Sequence, residues 1–297
     1  MGAVKTVKDL GEDGLVRAIC EKLPGGERVL IGPGDDCAVI SGAGKEDFLL
    51  KTDAVVEGVH YLKETEPERV GWKAVARVLS DFAAMGGKGR ELVVTLAISG
   101  SSKVSWVEGL YAGMARCAER HGVIIVGGET TAIPEGSATV ISVAGTGAVP
   151  KGRAVSRSGG KVGDALFVTG ALGGSLAGKH LDFYPRLSEA AWLSSNCLPT
   201  AMMDLSDGLA LDLKRMAGMS GCGYHLKEEA IPRTEGCSLE AALGDGEDFE
   251  LLFSLSPDRA ESLEESWPGG LAPLSRIGTL VELSWGEERA GGYGHFD

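Results

Sequence analysis

Apolar segments with helical spacing and apolar segments with strand-like patterning take turns along the whole 297-residue chain, and this alternation limits its fold more than any other feature. Leu10, Leu15, Ile19 and Leu23 recur at helical spacing over residues 9–23, and PERVGWKAVARVLSDFAAMG carries Val70, Ala74, Val78, Phe82 and Met85 along one helical face. FLLKTDAVV reads as a strand running into a loop, ELVVTLAI, VIIV and SATVISVAGTGAV as further strands, and residues 103–121 as a helix. The stretch PKGRAVSRSGGKVGD is then polar, glycine-rich and basic, which marks a boundary near residue 150. Beyond it come the strand ALFVTG, a helical stretch after GALGGS, a helix over 208–218, the strand ELLFSL, the helical SPDRAESLEESW and a last strand near SRIGTLVEL. Mixed strands and helices in both halves predict an α/β or α+β protein of two domains, 1–150 and 151–297.

A chain that is 43 % hydrophobic can fill two such cores. Its net charge of −13 argues against a nucleic-acid surface, where clustered Lys and Arg are needed. No apolar run approaches the roughly 20 residues of a membrane helix, and MGAVKTVKDLGEDG lacks a signal-peptide core. Cys20, Cys37, Cys117, Cys197, Cys222 and Cys237 are scattered without a C-x-x-C pair, so neither a zinc site nor a disulfide framework is indicated. The expectation is a soluble, cytoplasmic protein without nucleic-acid or membrane partners.

The acids are placed unusually. Asp35 and Asp36 follow a Gly-Pro-Gly turn and precede an apolar stretch, and Asp53 is expected just after the strand FLLKT. Asp81 sits on the long helix among small and apolar neighbours, where a charge needs a partner. Glu129 is expected to follow the strand VIIV through Gly127 and Gly128, and Asp204 and Asp207 flank Ser206. Singly, each has an ordinary reading: a solvated turn, or for Asp207 a helix N-cap. Jointly, carboxylates recur beside Gly or Ser where apolar segments end. Oxygen ligands from separated loops suit Mg²⁺, and glycine lets backbone N–H groups approach phosphate oxygens.

Other phosphate signatures fail. SGAGKE ends like a Walker A loop, but Val39 stands where its first glycine belongs and Glu46 follows Lys45. The glycines of GALGGSLAG do not give G-x-G-x-x-G, and neither G-x-S-x-G nor H-E-x-x-H occurs. The five histidines show no metal-ligand spacing.

Taken in order, GPGDDCAV, KTDAVVEGVHYL, KAVARVLSDFAAMGG, GGETT, GRAVSRSGGKVGD, DLSDGLALDL, GDGEDFELLF and GYGHF span nearly the whole chain. By these motifs the sequence resembles the thiamine-monophosphate kinases, of the superfamily that includes aminoimidazole ribonucleotide synthetase and selenophosphate synthetase. The resemblance implies a two-domain fold like aminoimidazole ribonucleotide synthetase, homodimeric through N-terminal domains whose strands close a shared barrel. It implies ATP-dependent phosphorylation of thiamine monophosphate with several Mg²⁺ ions. Carried over position by position, it makes Asp36, Thr52, Asp53, Asp81, Glu129, Asp204 and Asp207 metal ligands. It places Gly128, Arg157 and Ser206 at the ATP phosphates, with Tyr111 near the adenine. His60, Glu247, Asp248 and Tyr293 fall to thiamine phosphate. No covalent catalytic residue is expected, because an acceptor phosphate is already an anionic nucleophile.

Two positions depart from the family pattern. Glu129 stands for the usual Asp, and Lys51 stands where relatives often carry a Ser that touches a metal. A selenophosphate synthetase would need a reactive Cys or Sec in a glycine-rich N-terminal tail, whereas Cys20 falls within the first expected helix. If the acids merely repel one another in the empty site, Asp53→Asn and Asp81→Asn should leave the fold intact or firmer.

Overall fold

The computed structural model describes residues 6–287, 289 and 291–294. Helix α1 (Val7–Cys20) opens at the Thr6/Asp9 capping box and breaks at Gly11, whose φ is +63°. Its apolar residues Leu10, Val16 and Ile19 stay exposed, so the helical spacing there does not mark a face covered by this chain.

The first half builds one six-stranded sheet from β1 (Val29–Ile31), β2 (Ala38–Ile40), β3 (Glu46–Val56), β4 (Lys88–Ser99), β5 (Ile124–Ile133) and β6 (Val140–Pro150), ordered β1-β2-β3-β6-β4-β5. Helices α2 (Pro67–Ala84) and α3 (Val104–His121) follow β3 and β4 and pack on one face of it. Leu49 and Val55 of β3, Leu92, Val94 and Leu96 of β4, and Ile141 and Val143 of β6 supply the inner face against Val75, Val78, Leu79 and Phe82 of α2. Strand β3 is longer than its sequence suggested, because all eleven residues from Glu46 to Val56 pair with β6, so Asp53 lies inside the strand. Strand β5 likewise runs through GGETTAI, paired in parallel with β4, so Glu129 is a strand residue opposite Thr95 rather than a loop residue.

After Pro150 the chain crosses to a five-stranded sheet. It contains β7 (Ala165–Thr169), β8 (Ala201–Asp204), β9 (Gly223–Leu226), β10 (Leu251–Leu255) and β11 (Leu274–Val281), ordered β8-β10-β7-β11-β9 and antiparallel throughout. Helices α4 (Lys179–Asp182), α5 (Leu187–Asn196), α6 (Leu209–Met219), α7 (Leu239–Gly244) and α8 (Pro257–Ser266) complete the half. The short strands AMMD and GYHL, and helix α5, carried too little periodicity to be read from sequence. No helix among the described residues is long and apolar enough to cross a membrane.

The two sheets meet on α2, where Arg69, Trp72, Lys73, Arg77 and Ser80 fall within about 140° of the helical wheel. Trp72 Nε1 donates to Phe183 O at 2.8 Å, Arg69 Nε to Asp182 at 2.8 Å, and Lys73 Nζ to Glu247 at 2.7 Å. At the C-terminal end of α2, Ala83 and Ala84 enter the apolar core of the second sheet beside Phe167 and Phe253.

Helix α2 can serve both halves because α3 backs it at close range. A Cβ on Gly113 would lie 1.9 Å from Glu68 O, and one on Gly71 would lie 1.9 Å from Leu110 O. These contacts are to backbone and cannot swing aside. Gly113→Ala should therefore lose about 1–3 kcal/mol of stability, the usual range for overpacking a tight core. Chemical denaturation would read this as a lower midpoint, and an unchanged midpoint would show that the helices can separate freely.

Candidate active site

Strand β3 and helix α2 present complementary charges to each other. Residues two apart on one face of a strand span about 6.8 Å, and residues four apart on a helix span about 6 Å. Lys51 and Asp53 therefore line up with Asp81 and Arg77. Lys51 Nζ donates to Asp81 Oδ1 at 2.7 Å, and Arg77 holds Asp53 with two hydrogen bonds, Nε to Oδ2 at 2.7 Å and a terminal nitrogen to Oδ1 at 3.2 Å.

Beyond Asp81 the two halves close on a group of acids. One carboxylate oxygen each from Asp36, Asp81 and Asp204 lie within 4.8 Å of one another, all three residues buried. Asp36 arrives from the turn before β2, where Asp35 accepts from the backbone N–H groups of Asp36 at 3.0 Å and Arg157 at 3.1 Å. The Arg157 side chain pairs with Asp36 Oδ1, while Asp36 Oδ2 is buried with no hydrogen-bond partner. Asp204 ends β8 and accepts from Ser80 Oγ at 2.5 Å. Burial, then the charge of Asp36, pushes the Asp204 carboxyl up to about 6, and the same two causes push Asp35 up to about 6. Burial drives Asp81 upward too; Lys51 opposes this, but the charges of Asp204, Asp53 and Asp36 add to it. Asp81 and Asp204 are acids that a bound cation would ionise, and Asp36 brings to the same group a carboxylate with one oxygen that accepts no hydrogen bond.

Next to this group lies a cavity of about 110 Å³, lined by Val59, His60, Arg77, Leu176, Ser206, Asp207, Asp245, Glu247, Phe249 and Tyr293. Larger clefts of about 600 Å³ beside Trp106 and 540 Å³ beside Arg259 lack such an acid cluster. The loop before β10 reaches the cavity under local constraint: Glu247 and Phe249 have φ of +53° and +51°, a region that non-glycine residues seldom adopt. Hydrogen bonds from Glu247 N to Ser206 O at 2.7 Å and from Phe249 N to Leu205 O at 2.8 Å hold it there. Phe249 stacks on Phe183 with ring centroids 4.0 Å apart.

Glu247 is fixed by side chains from α2 and α4. Burial alone would raise its carboxyl, but the hydrogen bond from His180 and the ammonium of Lys73 hold it at about 2. Lys73, fully buried, also reaches His60 O at 2.6 Å and His180 Nδ1 at 2.8 Å, and burial pulls it down to about 8 against the pull of Glu247. Burial, reinforced by the charge of Arg77, brings His60 down to about 4, so its imidazole is neutral at pH 7. The Ser206–Asp207 turn is set by Asp212 of α6, which accepts from both backbone N–H groups at 3.0 and 2.9 Å. Burial and the charge of Asp207 push Asp212 up to about 8. Arg215 pairs with Asp207.

The residues singled out from sequence are thus distributed unevenly. Asp36, Asp81 and Asp204 meet in one group, and His60, Ser206, Asp207, Glu247 and Tyr293 line one cavity. Asp248 is not among the lining residues: it is buried, accepts from Gly173 N at 3.0 Å, and is pushed up to about 7 first by burial. Thr52 and Glu129 also stay apart from the acid group. Strand parity puts Thr52 on the face of the sheet opposite Asp53, and register aligns Glu129 with Thr95, Ser142 and Ala54 on that same outer face. Both side chains are exposed, and Gly128 lies beside Glu129 on the same edge strand. Tyr111 is half-buried on α3 against the first core. Lys73, Arg77, Asp212 and Arg215 were missed. For the first two the signal was present, since basic residues at 73 and 77 lead to Asp81 at spacings of four along a helix rich in apolar residues.

Residues 34–149 match the family described as AIR synthase related protein, N-terminal domain. A thiamine-monophosphate kinase of Rhodopirellula baltica is 36 % identical over 272 residues, covering 86 % of this chain and 84 % of that protein. The chain belongs to the thiamine-monophosphate kinase family. A thiamine-monophosphate kinase of Aquifex aeolicus is 33 % identical, covering 85 % of this chain and 88 % of its own. The solved structure of AaThiL complexed with AMPPCP and TMP aligns with a TM-score of 0.86 at 29 % identity, over 99 % of this chain and 100 % of that one. This family member is accordingly an enzyme of the kinase class.

The ion pairs revise what removal of an acid should do. Asp81→Asn leaves the Lys51 ammonium without its carboxylate, and Asp53→Asn leaves Arg77 with only the longer contact to Glu247 at 3.4 Å, so neither change simply relieves repulsion. Among the described residues Asp204 has no cation paired with it, only the Ser80 hydroxyl. In chelator at pH 7, Asp81→Asn should lose about 1–3 kcal/mol, the cost of stranding a buried polar partner, whereas Asp204→Asn should hold or raise the melting temperature. The same rank order in both variants, each stabilised or each destabilised alike, would show that pairing does not govern the empty site.

Proposed function

We propose that this chain transfers the γ-phosphoryl group of ATP to the phosphate of thiamine monophosphate, yielding thiamine diphosphate and ADP, by direct in-line attack with Mg²⁺ bound at the acid group. The observation that carries this reading is the placement of the three converging carboxylates beside a cavity whose polar wall comes from both halves of the chain. The donor set fits a hard divalent cation: three buried carboxylates, one of them with an oxygen that nothing else satisfies. Asp36, Asp81 and Asp204 would hold Mg²⁺, with Asp53 and Asp207 adjoining. Bound there, Mg²⁺ would neutralise phosphate oxygens and bring two anions together.

The chain's own residues account for the rest. The Arg157 guanidinium, with one planar edge on Asp36, is suited to turn that edge to a phosphate group. Ser206 offers its hydroxyl at the mouth of the cavity. Glu247, held ionised by Lys73 and Arg77, sets a fixed negative charge where the cationic thiazolium would lie, and Tyr293 and Phe249 supply aromatic surface for that cation. His60, neutral, accepts the Val56 N–H at Nδ1 at 3.1 Å, so its Nε2 carries the proton and is a donor that adds no charge. Because the acceptor phosphate is already anionic, positioning and charge neutralisation carry the reaction and no general base is needed. Tyr111 and Gly128 are given to the nucleotide by resemblance alone. The outer face of the first sheet leaves Phe48, Leu50 and Val93 exposed, with Ile124 and Val126 on edge strand β5, which supports a homodimer formed through this sheet.

ADP release coupled to a reporter, with and without thiamine monophosphate, tests the reading directly; ATP binding without acceptor-dependent ADP would defeat it. Mg-ATP at 100 times its dissociation constant should stabilise the protein by ~2.7 kcal/mol. ATP with chelator should raise the melting temperature much less, and equal shifts would remove the reason for gathering these acids.

Substrate choice gives a sharper expectation. Unphosphorylated thiamine lacks the anionic nucleophile, and its hydroxyl would have to lose a proton during attack, a step the phosphate does not need. Thiamine monophosphate should react at least ~100-fold faster than thiamine, roughly 2.7 kcal/mol in barrier. Chromatographic separation of products from equal concentrations of each acceptor would measure the ratio, and comparable rates would mean that the acceptor is wrongly assigned.

A further inference from the structure

We propose that Lys51 and Arg77 together take the place of one divalent cation in this site, so that the chain binds its nucleotide with one fewer metal ion than its carboxylates could ligate. This rests on the Mg-ATP reading above. The two rungs between β3 and α2 carry opposite polarity: Lys51 on Asp81, and Asp53 on Arg77. The pattern is a square of alternating charge in which each carboxylate has a cation along both adjoining edges. Any ion bridging Asp53 and Asp81 would have to lie across the diagonal of that square, against both an ammonium and a guanidinium.

Ligand geometry points the same way. Arg77 uses two nitrogens on the two oxygens of Asp53, at 2.7 and 3.2 Å, and Lys51 takes one oxygen of Asp81 at 2.7 Å. The Lys51 and Arg77 side chains are only 22 % and 11 % exposed, so neither is a solvated surface charge that drifts aside freely. On the other side of Asp81 the situation is reversed. Among the described residues Asp204 has no basic partner and Asp36 Oδ2 accepts no hydrogen bond, and a carboxylate oxygen of each residue lies within 4.8 Å of one of Asp81. One side of Asp81 is left for a metal ion, and the other already has its cation.

Titration of the protein with Mn²⁺ in the presence of AMPPCP, read by electron paramagnetic resonance of free Mn²⁺, counts the ions bound per chain. The double variant Lys51→Ser/Arg77→Gln should bind one more Mn²⁺ than the wild type, and Lys51→Arg, which keeps the charge, should match the wild type. Equal counts in wild type and a folded double variant overturn the proposal. Wild-type crystals grown with Mn²⁺ and AMPPCP give a measurement that depends on no variant: anomalous scattering should show no Mn²⁺ between Asp53 and Asp81, with Lys51 still on Asp81, and a peak there overturns it. Wild type that binds no Mn²⁺ with AMPPCP would instead overturn the Mg-ATP reading on which this rests.

Discussion

Helix α2 must place charged groups inside the protein while remaining apolar enough to anchor the first core, and most of the architecture answers that demand. Its inner arc packs Val75, Val78, Leu79 and Phe82 on the six-stranded sheet. A second arc sends Arg69, Trp72, Lys73, Arg77 and Ser80 toward β3 or the second half of the chain. Isolated, the Lys73 and Arg77 charges would be costly to bury, since an unpaired ion in a low-dielectric interior loses several kcal/mol of solvation. Both are tolerated because their partners come from different elements, Glu247 from the strained loop before β10 and Asp53 from β3, while the Arg69–Asp182 pair lies nearer the surface. The two halves are therefore bound to one another by the satisfaction of α2 as much as by apolar contact.

The same logic explains how a protein with this many inward carboxylates can fold before any ligand arrives. Asp36, Asp53, Asp81 and Asp207 each have a Lys or Arg beside them, whereas Asp204 rests on the Ser80 hydroxyl; burial still pushes Asp204 up to about 6 and drives Asp81 upward against the pull of Lys51. This pairing offsets part of the repulsion, and among the described residues the converging oxygens of Asp36, Asp81 and Asp204 are the group suited to a divalent cation. A site built entirely of unpaired acids would bind metal more strongly but would destabilise the folded chain that presents it.

How much of this could be read from the residues follows from what sequence patterns record. Long amphipathic α2 and α3 and the four long strands β3 to β6 were legible because ten or more residues of consistent pattern outweigh local exceptions, whereas three-residue β1 carried no such signal. The four-residue strands β8 and β9 were not, because AMMD and GYHL exist as strands only through their pairing with β10 and β11. Loop positions for Asp53 and Glu129 were inferred from polarity, yet both lie in continuous strands whose ladder hydrogen bonds are indifferent to side-chain charge. Parity then decides function: one residue's difference puts Thr52 outside and Asp53 inside. The acids of the site were visible in the sequence as carboxylates near glycines. Their basic partners were less so, since Lys51 and Arg77 become meaningful only when strand and helix are laid side by side.

Cooperation between the halves also sets the order in which the cavity can be completed. Glu247 reaches it only when Lys73 and Arg77 of α2 are in place, and Lys73 simultaneously fixes the backbone carbonyl of His60 from the first half. Displacing α2 by even part of a turn would therefore release the fixed negative charge and misplace the neutral imidazole together. Glu247 and Phe249 hold φ values near +50°, a conformation with an energetic cost of order 1–3 kcal/mol each. That cost is offset only while the hydrogen bonds to Ser206 and Leu205 and the cations of α2 persist. The cavity is accordingly a consequence of the docked halves and not a property of either one. Binding a substrate that touches both, as the proposed reaction requires, would draw on the same contacts that hold the protein together.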